Sequence, residues 1–262
     1  MDIVVCIKQV PETNEIGWDP KTGTLIREST GGILNPNDKN AIEAALQLRE
    51  KHGGLITAIS MGPPQAEDAL REALGMGADK AILLSDRQFA GADTLSTSYA
   101  LSLALKKIVR FDLILCGKES SDGMTAQVGP QLAELLNLPQ LTYATEIIIN
   151  SNSVRIKQKL EDGFRILKTS FPALITVERE MNQPRIPPMD SIMEAYRDKD
   201  VLVWGVGNLG GDKERIGLKG SPTQSRKVYT KIVKKGEITL LEGKPDEVAK
   251  KLIQIFRQKD LL

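Results

Sequence analysis

The chain has 262 residues, of which 41% are hydrophobic, and its 35 Lys and Arg residues nearly balance its 34 Asp and Glu residues. A chain of this length and apolar content buries a substantial core, as one large domain or as one domain with an extension. The net charge of +1 argues against nucleic acid as a partner, and without a long apolar run we expect no direct insertion into a membrane.

The N-terminal segment and the few cysteines and histidines indicate a cytoplasmic protein without a metal site. The segment MDIVVCIKQV carries an acid where a secretory signal carries a base, and its apolar run already ends at Lys8. Cys6 and Cys116 lie in apolar runs, where free buried cysteines are usual in a reducing compartment. With His52 as the one histidine and no CxxC motif, the sequence offers no set of metal ligands.

The first 140 residues alternate short apolar strands with helices. The four predicted strands span residues 3–7, 55–60, 80–84 and 113–116. Helix starts are predicted at Asn37 or Asp38, at Pro63 and at Asp93. This repeated βαβ pattern predicts an α/β fold, namely a Rossmann-like, doubly wound, mostly parallel sheet of the adenine-nucleotide-binding type, with strand order 3-2-1-4-5.

From residue 141 the pattern changes to apolar residues at every second position, with turn residues at 150–153 and 161–163. This pattern predicts an antiparallel hairpin or meander inserted into the fold. The last apolar run, residues 173–177, is expected to rejoin the main sheet.

The chain is expected to divide into a nucleotide-binding α/β domain, residues 1–200, and a C-terminal arm, residues 201–262. The C-terminal arm is rich in glycine and ends in a predicted helix near residues 246–257. Because it has little apolar periodicity, it is a poor isolated fold. We therefore expect it to pack on a partner subunit.

The most informative segment is LILCGKESSDGMTAQVG, residues 113–129. An apolar strand runs into a polar, glycine-containing turn that opens a helix predicted over residues 125–136. The end of such a strand, aimed at a helix N-terminus, presents unpaired N–H groups that suit a phosphate; an ordinary helix start is the alternative. Ligands of doubly wound sheets bind at the switch point, so Cys6 and Gly117 are expected to meet across one crevice.

Five segments together resemble the β subunit of electron-transferring flavoproteins: VVCIKQVPET, NPNDKNAIEAAL, SMGPPQAEDALREALGMGAD, LILCGKESSDGMTAQVGPQLAELL and IGLKGSPTQ. They occur in order along nearly the whole chain. The resemblance implies a heterodimer with an α subunit that holds a FAD. The variant DGMTAQVGP resembles the branch that binds a second FAD in this subunit, accepts electrons from NADH and bifurcates them. Ala126 and Val128 would make room for this larger ligand and leave the backbone N–H donors in place.

The resemblance also implies which residues bind the nucleotide. They are Cys6, Asn35, Pro36, Asn37, Asp38, Met61, Gly117, Lys118, Glu119, Asp122, Gly123, Met124, Thr125, Ala126, Gln127, Val128 and Gly129. Their chemistry agrees with this role: Cys6 and Met61 suit an adenine face, and Asn35 and Asp38 suit a polar edge or a ribose. Thr125, with the N–H groups that follow it, suits phosphates.

A partner-recognition loop is implied at residues 185–195. Met189 stands where the family has a large apolar residue that anchors a dehydrogenase; a buried loop anchor is the alternative. The expected electron-transfer partners are an acyl-CoA-type dehydrogenase and, in the bifurcating branch, ferredoxin or flavodoxin.

Three other functions stay open. The first is a single-FAD electron carrier with a structural AMP in this subunit, passing electrons from acyl-CoA dehydrogenases. The second is a nucleotide-sensing regulatory α/β protein that works by self-association. The third is a nucleotide hydrolase, for which Glu119 and Asp122 are the candidates, although the sequence contains no convincing catalytic constellation.

Overall fold

A mostly parallel sheet forms the centre of the computed structural model, which describes residues 1–12, 32–108, 110–223 and 239–261. The strands are β1 (Ile3–Cys6), β2 (Gln9–Pro11), β3 (Gly32–Leu34), β4 (Ile56–Met61), β5 (Lys80–Leu84), β6 (Leu113–Gly117), β7 (Gln140–Asn150), β8 (Ser153–Leu160), β9 (Gly163–Ser170), β10 (Ala173–Val177) and β11 (Val201–Trp204). The α-helices are α1 (Pro36–His52), α2 (Glu67–Met76), α3 (Thr94–Lys107), α4 (Val128–Leu136), α5 (Met189–Arg197), α6 (Val206–Leu209) and α7 (Pro245–Gln258).

Within these ranges, nine strands form one sheet in the order β11-β5-β4-β1-β6-β10-β7-β8-β9, and β2 pairs with β3 separately. The five central strands, β5-β4-β1-β6-β10, are parallel and have the predicted order 3-2-1-4-5. The doubly wound α/β fold is thus confirmed. Because the strand order reverses between β1 and β6, the carboxyl ends of these two strands flank the topological switch point. We call the space at these ends the switch-point crevice.

Both faces of the central strands are buried, which explains why their sequences are almost continuously apolar. On one face, Val5 belongs to a cluster with Leu46 of α1 and Leu70 of α2. On the other face, Cys6 belongs to a cluster that includes Leu132 of α4. The sheet is therefore covered by helices on both sides, and its ligand-accessible part is the edge where the strands end.

The start of α1 differs from the prediction. The helix begins at Pro36, and Asn35 occupies the N-cap position without a capping side-chain bond, so the predicted caps Asn37 and Asp38 are wrong. A proline at the first helical position favours this start, because its fixed φ suits the helix and its missing N–H needs no partner. Asn37 and Asp38 lie instead in the first turn of α1, and their side chains are free to bind other parts of the chain.

The start of α4 also differs. The predicted start at Thr125 is wrong, because Met124 and Ala126 have φ values of 48° and 53° and the helix begins only at Val128. A right-handed helix cannot pass through residues with positive φ. Residues 118–127 form an irregular connection between β6 and α4, which we call the 118–127 loop.

The second half of the sheet confirms the predicted meander. Strands β7, β8 and β9 are antiparallel neighbours, with turns at the predicted positions. β10 rejoins the main sheet beside β6 and also pairs with β7 in parallel, so the meander extends the main sheet.

The chain divides into two compact units, Met1–Arg226 and Lys227–Leu262. Within the first unit, β11 pairs with β5 at the edge of the main sheet, and Val206 of α6 joins the core. In the second unit, α7 covers the helix predicted near residues 246–257. Residues 224–238 of the C-terminal arm lie outside the described residues. None of the described helices has the length and apolar character needed to cross a membrane.

Candidate functional site

Two cysteines line the switch-point crevice at the ends of its flanking strands. Cys6 and Cys116 are register partners on β1 and β6, and both are buried free thiols. A hydrogen bond with Cys6 and burial hold the pKa of the Cys116 thiol well above its usual range. Cys116 is therefore neutral and acts as an apolar lining residue. Gly117 follows it directly at the end of β6, so Cys6 and Gly117 lie at the ends of two neighbouring strands.

The 118–127 loop holds two non-glycine residues in the left-handed region, Met124 and Ala126. Such residues cost conformational energy and are frequent at ligand sites, where the surrounding structure maintains them. Since α4 begins only at Val128, the N–H groups of Val128 and Gly129 have no acceptor within their own helix. The loop therefore ends in backbone donors beside the switch-point crevice.

Residues 35–38, which comprise the N-cap and the first turn of α1, bind the 118–127 loop by hydrogen bonds. The Nδ2 atoms of Asn35 and Asn37 donate to the carbonyl oxygen of Glu119 at 3.0 and 2.8 Å. In return, Asn35 Oδ1 accepts from the backbone N–H of Ser121 at 3.2 Å. The 35–38 turn and the loop thus form one hydrogen-bonded unit.

Asp38 connects the two strands that flank the crevice. Its carboxylate Oδ2 accepts from the backbone N–H of Lys8 at 2.8 Å, and Oδ1 accepts from that of Gly117 at 3.1 Å. The residue is only 6% exposed, and burial raises the pKa of Asp38 to about 7. Both of its oxygens are therefore occupied by the protein.

An ion pair lies across the mouth of the crevice. Lys8 Nζ, from the segment after β1, donates to both carboxylate oxygens of Asp122 at 2.7 and 2.6 Å. Burial would raise the pKa of Asp122, but the hydrogen bond and charge of Lys8 lower it below its usual value. Lys8 was not among the predicted site residues. The available sequence signal was a single cation at the end of a fully apolar strand.

Two glycines are required by close packing at this site. A Cβ at Gly117 would lie 2.4 Å from Asp38 Oδ1 and 2.7 Å from the carbonyl carbon of Asn37. A Cβ at Gly129 would lie 2.7 Å from Cγ2 of Thr176. These separations are shorter than van der Waals contact, so neither position has room for a side chain.

Lys118 is engaged outside the crevice. Its Nζ lies 3.4 Å from a carboxylate oxygen of Glu178 and 5.4 Å from the centre of the Tyr143 ring. Its charge is thus partly neutralised by Glu178, as that of Lys8 is by Asp122.

The predicted nucleotide-binding residues lie at or after the carboxyl ends of β1, β4 and β6 or in the 35–38 turn that binds the loop, although the Lys118 side chain is directed to Glu178. They are Cys6, Asn35, Pro36, Asn37, Asp38, Met61, Gly117, Lys118, Glu119, Asp122, Gly123, Met124, Thr125, Ala126, Gln127, Val128 and Gly129. Thr13 and Gln224, at the ends of two of the resembling segments, lie outside the described residues.

The segment after α6 contacts the start of α3, and the start of α3 contacts Gln127 at the end of the 118–127 loop. Ser221 Oγ accepts from the backbone N–H of Asp93 at 2.8 Å, and Asp93 Oδ2 accepts from that of Thr223 at 3.1 Å. The next residue, Thr94, donates its hydroxyl to Gln127 Oε1 at 3.0 Å. A cavity of about 330 Å³ adjoins Ser221, with Tyr99 also in its lining. No motif in the sequence indicates these contacts.

Replacing Asp93 tests this connection. Its side chain also caps α3, as predicted, by accepting from the backbone N–H of Ser96 at 3.0 Å. Asp93→Ala is expected to lower the free energy of unfolding by about 1–2 kcal/mol, because the cap and the bond to Thr223 are both lost. Urea unfolding measures this change. Asp162→Ala, in the exposed β8–β9 turn, is the control and should change stability by less than about 0.5 kcal/mol. Equal effects of the two substitutions would contradict the assigned role of Asp93.

Met189 lies apart from the crevice, at the first residue of α5. It is 71% exposed, which excludes the alternative of a buried anchor. The preceding segment is fixed to α1, because Arg185 donates to Glu43 and to Glu50 at 2.7 Å each. Burial would raise the pKa of Glu43, but the hydrogen bonds from Arg185 lower it. Met189 is thus an exposed apolar side chain, and the segment before it is held to α1 by ion pairs.

These features define the chain as a Rossmann-like α/β protein with its candidate ligand crevice at the topological switch point. Residues 22–203 match the family model described as electron transfer flavoprotein domain. The chain therefore belongs to the electron transfer flavoprotein family, as the resemblance predicted.

Relatives along the whole fold agree with this assignment. Electron transfer flavoprotein subunit beta of Thermoanaerobacterium thermosaccharolyticum is 52% identical over 224 residues, which cover 86% of each chain. Caffeyl-CoA reductase-Etf complex subunit CarD of Acetobacterium woodii is 42% identical over 263 residues, with 100% of both chains covered. Acryloyl-CoA reductase electron transfer subunit gamma of Anaerotignum propionicum is 42% identical over 270 residues, again with 100% of both chains covered. Within its family the chain is of the β-subunit type.

Proposed function

We propose that this chain binds FAD in the switch-point crevice. In complex with an electron transfer flavoprotein α subunit, it accepts electrons from NADH and divides them between a dehydrogenase and ferredoxin or flavodoxin. The observation that carries the proposal is the 118–127 loop, whose left-handed residues delay the start of α4 and leave backbone donors beside the switch point.

The groups present at the crevice fit the ADP part of FAD. The N–H groups of Val128 and Gly129, the exposed hydroxyl of Thr125 and the ammonium of Lys8 are donors suited to a pyrophosphate. Cys6, at the end of β1, is a nearly buried apolar residue whose remaining surface suits adenine. When FAD is bound, the flavin supplies the redox chemistry, and the residues of this chain bind and orient it.

The variant residues of the loop support FAD over the smaller AMP. Ala126 and Val128 carry no polar side-chain atoms, so the backbone N–H groups are the donors at the start of α4. Their apolar side chains also leave no polar group to be desolvated by a larger ligand. These two residues therefore support the bifurcating branch, and a structural AMP in this subunit is the alternative.

Two surfaces support the proposed partners. The names of two relatives refer to a caffeyl-CoA reductase complex and to acryloyl-CoA reductase, which supports an acyl-CoA-type dehydrogenase as the partner that contacts Met189.

In the second unit, α7 carries Leu252, Ile253 and Phe256, which are 40%, 44% and 36% exposed. These residues share one side of the helix, as expected of a helix that packs on an α subunit.

The nucleotide content of the co-purified heterodimer tests the proposal. We expect two FAD per heterodimer after denaturation and chromatography, and bleaching of the flavin absorption when NADH is added under anaerobic conditions. One FAD with one AMP, and no reaction with NADH, would support a single-FAD carrier and overturn bifurcation. A stable homodimer without flavin would instead support a nucleotide-sensing regulator.

A further inference from the structure

We infer that Asp38 is a positioning residue of the nucleotide site, an inference that rests on the proposed function. The paired register of β1 and β6 ends at Cys6 and Cys116, and the Asp38 carboxylate fixes the residues beyond this pair, Lys8 and Gly117, relative to each other at the switch-point crevice. It acts on the ligand through Lys8 and Gly117, a role different from the direct bond to a polar edge or a ribose that its chemistry suggested.

The geometry gives Asp38 one contact on each side of the crevice. Oδ2 accepts from the N–H of Lys8 at 2.8 Å, on the β1 side, and Oδ1 accepts from the N–H of Gly117 at 3.1 Å, on the β6 side. These two residues are 109 positions apart in the chain, and they follow Cys6 and Cys116, the last register pair of β1 and β6. Asp38 thus bridges the two strand ends directly at the switch point.

Close packing makes this bridge rigid. Asp38 is 6% exposed, and Oδ1 approaches the backbone of Gly117 so closely that even a Cβ there would lie 2.4 Å away. On the same turn, Asn35 and Asn37 hold the carbonyl oxygen of Glu119 in the 118–127 loop. A change in the Asp38 contacts therefore moves the loop and the strand ends together.

The charged and titratable groups around Asp38 come from both strands. Lys8 follows β1, and its ammonium is shared with Asp122 of the loop. Cys116 lies on β6 and is neutral, because its pKa is raised. Lys8 favours the ionised form of Asp38, whereas burial opposes it more strongly and raises the pKa of Asp38 to about 7.

Because the pKa of Asp38 is raised, folding stability and FAD affinity should change with pH in opposite directions. Since the pKa rises from 3.8 to about 7 in the folded chain, protonation of Asp38 stabilises the fold. This contribution is complete below about pH 3.8 and is lost as the pH rises through about 7. The two N–H bonds, however, are strongest to the ionised carboxylate, so FAD affinity should rise over the same interval. A merely structural role would make stability and affinity change together.

The test measures FAD affinity and thermal stability of the heterodimer between about pH 5.5 and about pH 8.5. FAD is titrated into the complex with the α-subunit site already filled; its pyrophosphate is a diester and does not titrate in this range. The wild type is expected to bind FAD about five- to tenfold more weakly at the lower pH. Asp38→Asn is expected to bind about five- to tenfold more weakly at the higher pH and to lose the pH dependence, because an amide accepts from only one of the two N–H groups.

Asp86→Asn is the matched control. Asp86 also accepts two backbone N–H bonds, from Gln88 at 3.0 Å and from Val206 at 3.1 Å, but it lies after β5 and away from the switch point. This substitution should lower the melting temperature and keep the wild-type dependence of FAD affinity on pH. Loss of that dependence in Asp86→Asn would overturn the inference.

Nuclear magnetic resonance of the wild-type complex gives a second readout that does not depend on the folding of a variant. The amide protons of Lys8 and Gly117 should shift with a midpoint near pH 7, in parallel with FAD affinity. Amide shifts without such a midpoint, or a pH profile of FAD binding shared by wild type and Asp38→Asn, would overturn the inference and leave the proposed function intact. A wild-type complex that binds no FAD in this chain at any pH would overturn both.

Discussion

Gly117→Ala is expected to abolish nucleotide binding by this chain and to lower the free energy of unfolding by about 2–3 kcal/mol. The new Cβ would lie 2.4 Å from Asp38 Oδ1 and 2.7 Å from the carbonyl carbon of Asn37. The second of these atoms belongs to the backbone, so the clash cannot be relieved by a side-chain rotation. The end of β6 must move away from α1, which breaks the bridge from Asp38 and displaces the start of the 118–127 loop.

Gly75→Ala is the matched control for this prediction. Gly75 lies inside α2, and the nearest atoms to a Cβ there are 3.5 Å away on Ile192, an ordinary contact. The free energy of unfolding of the Gly75→Ala protein should stay the same or rise by up to about 1 kcal/mol, because alanine favours the helix. Nucleotide content after purification and urea unfolding measure both variants. A Gly117→Ala protein with normal nucleotide content would show that the close approach at Gly117 has no role in the site.

Met189→Ala is expected to raise the KM for the dehydrogenase partner about thirtyfold and to leave the flavin content and the thermal stability unchanged. The side chain is 71% exposed, so its removal creates no internal cavity. Truncation of an apolar anchor at the centre of a protein interface typically costs about 2 kcal/mol of binding energy, which is the expected factor. Arg185 holds the preceding segment to Glu43 and Glu50, so the backbone should keep its position.

Leu55→Ala is the control for Met189. Leu55 is 46% exposed and precedes β4, so it lies at the amino ends of the strands, opposite to the switch-point crevice. Steady-state electron transfer to the dehydrogenase, measured at several concentrations of the complex, should be the same for Leu55→Ala and the wild type. An equal rise in KM for the two variants, or none for Met189→Ala, would show that Met189 is no partner anchor.

The architecture was predictable because each part of it has a local cause. The apolar run of residues 113–116 is long enough for one buried strand and ends in a polar turn, which fixes both the type and the end of β6. Likewise, the alternation after residue 141 predicts strands with two different faces. The order 3-2-1-4-5 then follows from the right-handed connections of βαβ units, which leave few arrangements of such strands.

The internal geometry of the site was not predictable to the same degree. Met124 and Ala126 are not residue types that favour positive φ, so nothing in their sequence indicates that α4 starts at Val128. The resemblance indicated Asn35 and Asp38 as nucleotide-binding residues, but no sequence pattern indicates their bonds to Glu119, Lys8 and Gly117. These bonds join residues far apart in the chain and exist only after the sheet has formed.

We propose above that an adenine nucleotide binds in the switch-point crevice, and a crystal structure of the heterodimer purified with its own ligands would locate that nucleotide. We expect density for an ADP moiety beside Cys6 and Gly117, with phosphate oxygens within hydrogen-bond distance of the N–H groups of Val128 and Gly129. A crevice filled by the chain's own side chains, with the nucleotide bound elsewhere, would contradict it.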